Sequence, residues 1–162
     1  MIGDREQGTG QRKEGNSRGE GSFPAFPSQT WYLTADITCW PGLMPHVHGV
    51  EILDTYANRT LARIDARYGW IPVAFDCGFE HDEEHMMMHR WYRGTPWNGI
   101  VEAWRVREVG DRLVELSYAI YARGWRQRLL ARIVIAPMAR RQFEMIDLLA
   151  VAHRRAQESD GW

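Results

Sequence analysis

Lysine is almost missing from this chain. Of its 20 Lys and Arg residues only Lys13 is a lysine. Schiff-base chemistry by a lysine is therefore excluded everywhere beyond the N-terminal segment. Cysteine is scarce as well. Cys39 and Cys77 make no disulfide framework and suit a reducing compartment. No apolar run approaches the roughly 20 residues that a membrane-spanning helix needs. The N-terminus also lacks the basic start, apolar run and cleavage site of a secretory leader. The expected location is cytoplasmic, without a membrane span. Nor is there an excess of charge. A net charge of −1 gives a nucleic-acid partner no support. The chain has no Gly-x-Ser-x-Gly, no phosphate-cradling glycine loop and no dinucleotide fingerprint. It has no Cys-x-x-Cys or His-Glu-x-x-His either, so neither a metal nor a cofactor is expected. His81, His85 and His89 are four apart. On a strand, neighbours at that spacing lie about 13 Å apart, too far to share a metal with bonds of roughly 2 Å.

What remains is ordinary in bulk: 162 residues, 44% apolar and 25% charged, as in one globular domain. Residues 1–21 hold six glycines and no bulky apolar side chain besides Met1 and Ile2. They are expected to form a disordered tail. Residues 22–157 are expected to form the domain, and residues 158–162 a C-terminal tail.

The longest periodic stretch is Arg126 to Gln157. Leu130, Val134, Met138, Met145, Leu149 and Ala152 recur at helical spacing, with one interruption at Arg141 and Gln142. Pro137 lacks an amide hydrogen, which predicts a kink or a short break. Ahead of this helix the period is two. Strands are predicted near residues 47–55, 59–68, 70–80, 85–93, 98–108 and 112–122, joined by turn residues such as Gly69 and Gly110-Asp111. Short links imply antiparallel pairing. Before them, Ser22 to Phe26 reads as an edge strand and Pro27 to Ala35 as a short helix. A second short helix, Ile37 to Leu43, follows the cap Asp36.

Residues Asp36-Ile37-Thr38-Cys39-Trp40-Pro41, then Pro45-His46-Val47 and Val50-Glu51-Ile52-Leu53, form one motif. His89-Arg90, Gly94, Trp97-Asn98-Gly99 and Glu102-Ala103-Trp104-Arg105-Val106 form another. In this order, between two short helices and one long one, they resemble the START-related helix-grip superfamily. More narrowly, they resemble the polyketide cyclase/dehydrase family, which has coenzyme Q-binding relatives. The resemblance runs from about Phe23 to Ala156. It implies an α+β fold: a curled antiparallel sheet of six or seven strands wrapped around a long C-terminal helix, with an internal cavity for a hydrophobic or aromatic small molecule.

Family members that act as aromatase/cyclases use cavity arginines and a tyrosine. Arg90 falls at one such arginine. Val47 and Cys77 stand where the tyrosine and the other arginine would be. Two readings stay open: cyclisation or dehydration by acid–base chemistry, and non-catalytic carriage of a lipid, quinone or aromatic metabolite. A homodimer is also left open. If Trp104 and Val106 point inward, so do Ile100 and Glu102, and a buried Glu102 needs a partner such as Arg90. The candidate catalytic residues are Arg90, Glu102 and Tyr118. The candidate ligand contacts are Trp40, Tyr68, Met86, Met88 and Trp104, given the adaptability of methionine and the flat faces of the aromatics.

Overall fold

The computed structural model describes residues 17–161. Strand β1 covers Ser17–Pro24 and helix α1 covers Pro27–Ala35. A 3-10 turn, Ile37–Cys39, leads into the short α2, Trp40–Leu43. Asp36 caps this turn by accepting from the Thr38 amide at 3.1 Å and the Thr38 hydroxyl at 2.6 Å. The Trp40 indole N–H donates to the Leu33 carbonyl at 3.1 Å and ties α2 to α1.

Six strands follow: β2 (Val47–Tyr56), β3 (Arg59–Tyr68), β4 (Ile71–Asp82), β5 (Met87–Arg93), β6 (Ile100–Gly110) and β7 (Leu113–Ala122). The sheet has seven strands in the order β1-β7-β6-β5-β4-β3-β2, each pair antiparallel. Strands β1 and β2 are its two edges. The turns fall where the sequence puts Gly69, at φ 63°, and Ala57, at φ 51°.

Strand β1 begins at Ser17, inside the stretch 1–21 that was expected to be a tail. Ser17 already pairs with Ile120, and the ladder runs unbroken to Pro24. The inward positions of β1 are Ser17, Gly19, Gly21 and Phe23, so the strand shows no run of large inward side chains to signal itself. Its glycines are there for space. A Cβ on Gly19 would sit 2.5 Å from the Tyr118 ring, and one on Gly21 would sit 3.0 Å from the Phe143 ring. Residues 1–16 lie outside the described residues.

One helical run of 35 residues closes the concave side of the sheet. It consists of α3 (Trp125–Leu130), a π-helical turn (Ala131–Ile135) and α4 (Ala136–Ser159). It therefore extends past residue 157, into the expected C-terminal tail. The break predicted from Pro137 takes the form of the π turn just before it. Proline has no amide hydrogen for the carbonyl four residues back, and a widened turn absorbs that loss. The inward residues Ala139, Gln142, Ile146 and Ala150 follow α-helical spacing. The sheet's inner face meets them through the alternation the sequence displays. Ile100, Glu102, Trp104 and Val106 are all buried, as are Val114, Leu116, Tyr118 and Ile120. No helix among the described residues is long and apolar enough to cross a membrane.

Candidate functional site

Arg90 and Tyr92 are two apart on β5, so period two sends both inward. Glu102 on β6 is the direct cross-strand partner of Arg90. One Glu102 oxygen accepts from Arg90 Nη1 at 3.0 Å and from the Tyr92 hydroxyl at 2.8 Å. Arg90 Nη1 also donates to the Tyr92 oxygen at 3.2 Å, and Arg90 Nη2 donates to Gln142 Oε1 on α4 at 3.0 Å. The guanidinium lies over Trp40, 4.9 Å from its ring centre, and near Phe79 at 5.4 Å.

Burial works against the charge of Arg90, but the Glu102 carboxylate, Tyr92 and Cys77 together outweigh it and hold the guanidinium firmly protonated. Burial, reinforced by Glu102, pushes the Tyr92 phenol well above its ordinary range, so Tyr92 stays a donor at neutral pH. Cys77 faces the same cluster. Burial pushes its thiol up to about 12, which makes it inert as a nucleophile.

Two donors of this network have no acceptor among the described residues: Arg90 Nε and Gln142 Nε2. Both residues line a closed cavity of about 20 Å³, together with Trp40, His46, Tyr92 and Glu102. That is room for about one oxygen-sized group. The ligand-sized space expected inside the grip is thus taken up by side chains, with Trp40, Phe79 and Tyr92 packed on or beside Arg90. Ligand-sized space lies next door. An open cleft of about 670 Å³ runs between the start of β2, the end of β3 and α4, lined by Pro45, His46, His48, Arg67, Gly69, Arg141, Glu144, Met145 and Leu148.

His46 lines both spaces. It is 7% exposed, and its imidazole has no hydrogen-bond partner among the described residues. Burial, with Arg90 and Arg141 nearby, lowers its pKa to about 4, so it is neutral at physiological pH.

The structure brings Arg90, Glu102 and Trp40 together. It does not bring the remaining candidates to them. Tyr118 stacks on Trp104, ring centres 4.8 Å apart, over Gly19 and one strand away from the cluster. Trp104 and Met88 are buried in the core and line neither space. Met86 sits in the turn before β5 at φ 49°, outside the strand alternation that would have aimed it inward. Tyr68 ends β3, is half-buried, and also lines neither space. The sequence reading missed Tyr92, Gln142 and the role of His46. The signals were present: Tyr92 shares a strand face with Arg90, and Gln142 is the interruption in the helical stripe.

A seven-stranded antiparallel sheet gripping one long helix, with a polar cluster between them, defines a START-related helix-grip protein. The chain belongs to the family described as polyketide cyclase / dehydrase and lipid transport, which matches residues 23–149. No curated protein sequence matches it. Among solved structures, it is similar to the Zhui aromatase/cyclase of Streptomyces sp. R1128, at 15% identity and TM-score 0.63, over 85% of this chain and 96% of that one. It is similar to a START superfamily protein of Mycobacterium smegmatis, at 11% identity and TM-score 0.68, over 83% and 96%. It is also similar to norcoclaurine synthase of Thalictrum flavum, at 14% identity and TM-score 0.66, over 86% and 95%.

Proposed function

We propose that the protein binds a small hydrophobic or aromatic ketone in the cleft and promotes its cyclisation or dehydration by acid–base chemistry. The observation that carries this reading is the pair of unused donors, Arg90 Nε and Gln142 Nε2, beside the unpartnered imidazole of His46. The ligand's body lies in the cleft and one carbonyl oxygen enters the small cavity. His46 takes a proton from the carbon next to that carbonyl. The enolate oxygen is held by the two donors, which are already oriented and shielded from water. Glu102 keeps Arg90 charged and in place. The enolate carbon closes on a second carbonyl of the same molecule, and the imidazolium returns its proton to the new alkoxide. His46 then takes the next acidic proton and delivers it to the hydroxyl, which leaves as water.

A second reading has its own support. A cavity of about 20 Å³ admits an oxygen but not the reacting frame of a large ligand. That favours carriage of a hydrophobic molecule in the cleft alone. Exchange of the α-protons of 2-tetralone in D₂O, followed by NMR, separates the two. The catalytic reading expects acceleration over buffer that falls about 100-fold in both His46→Gln and Arg90→Lys. Binding of 2-tetralone without any acceleration supports carriage instead.

A further inference from the structure

The cleft carries a charge pattern that the acid–base reading leaves unused. Arg67 on β3 and Arg141 on α4 stand on its walls, with His48 beside them. Arg90, which lines the small cavity next to the cleft, is committed to Glu102, Tyr92 and Gln142. The side chains of Arg67 and Arg141 make no hydrogen bond or ion pair among the described residues. One acid, Glu144, lines the same space and pairs with neither arginine. Arg141 reaches far enough toward the floor to disfavour a proton on His46. The rest of the lining is apolar: Pro45, Met145 and Leu148, the last 63% exposed.

We infer that the cleft is a site for an amphipathic anion, in which Arg67 and Arg141 clamp a carboxylate while its apolar body lies against Met145 and Leu148. This rests on the reading that the cleft holds the ligand, but not on any catalysis. Two arginines without internal partners in one cleft suit a planar carboxylate, which accepts paired hydrogen bonds. No internal ion pair has to be broken when such an anion binds, because neither arginine has a partner among the described residues. The charge balance also makes a signed prediction. Glu144 opposes the anion, so its removal strengthens binding.

The test uses 2-naphthoate and its neutral isostere 2-naphthamide, titrated calorimetrically into the full chain. Wild type is expected to bind naphthoate at least about tenfold more tightly than naphthamide. Arg67→Gln combined with Arg141→Gln should abolish that preference and leave naphthamide binding within about twofold. Glu144→Gln should raise naphthoate affinity. All three substitutions fall on exposed side chains, and circular dichroism checks the fold. Equal affinity of wild type for the two probes would overturn the inference. So would a preference that survives in the double variant, or no heat with naphthoate at its solubility limit. Naphthoate affinity and α-proton exchange of 2-tetralone are read as separate signals. Failure of the acid–base reading is thus a loss or absence of exchange activity, whereas failure of this inference is a loss or absence of charge selectivity.

Discussion

Arg90 and Glu102 face each other directly across β5 and β6, and their charged atoms meet at 3.0 Å in the buried layer between sheet and helix. Neither charge has water to fall back on. The pair is therefore costly to break and inexpensive to replace as a whole. Glu102→Ala is expected to destabilise the protein by about 3–5 kcal/mol, because it strands a buried guanidinium. Replacing both residues by methionine should recover most of that loss. Urea unfolding of the two variants measures the difference. A single variant as stable as wild type would mean that the guanidinium finds another acceptor.

Trp104 is 1% exposed and stacks on Tyr118. Trp104→Ala removes a large side chain from a packed layer and is expected to cost about 3–5 kcal/mol. A urea midpoint near that of wild type would contradict the packing described for β6.

Gly19 is a clearance rather than a hinge. Gly19→Ala places a methyl group against the Tyr118 ring and is expected to cost about 1–3 kcal/mol by pushing edge strand β1 off β7. The penalty should shrink when Tyr118 is valine. A double-mutant cycle measures that coupling; strict additivity would show that the strand gives way elsewhere.

His46 makes stability depend on pH in a defined direction. Its folded pKa, about 4, lies below the ordinary 6.5, so the unfolded chain takes up the proton first as pH falls. The contribution is fully present above pH 6.5 and is lost as pH falls toward 4. It amounts to roughly 2–3 kcal/mol. Burial sets it first, with Arg90 on β5 and Arg141 on α4 adding to the effect. His46→Gln should flatten this part of the urea midpoint against pH. An unchanged slope would assign the dependence to other groups.

Much of the fold was legible because its signals are local. Period-two alternation placed β6 and β7 with the correct face inward, and Pro27 and Asp36 marked the short helices. β1 was only partly legible. Its inward glycines are small because Tyr118 and Phe143, about a hundred residues away in sequence, occupy the space. The site divided in the same way. Alternation alone led to Glu102, and its need for a partner led to Arg90. The contributions of Gln142 and His46 depend on how the helix crosses the sheet, which no single stretch of sequence encodes. Tyr118 shares the inward face of its strand but lies over Gly19, with no hydrogen bond to the cluster.

The π turn at Ala131–Ile135 has a consequence for the site it never touches. Each residue of an α-helix advances the direction of side chains by about 100°. Deleting one residue from that turn would let it close as ordinary α-helix, and everything after it would rotate by about that angle against everything before. Either Trp125–Leu130 or Ala136–Ser159 could keep its orientation, but not both. The angular phase at which Gln142 meets Arg90 is thus set by one widened backbone turn, two helical turns away.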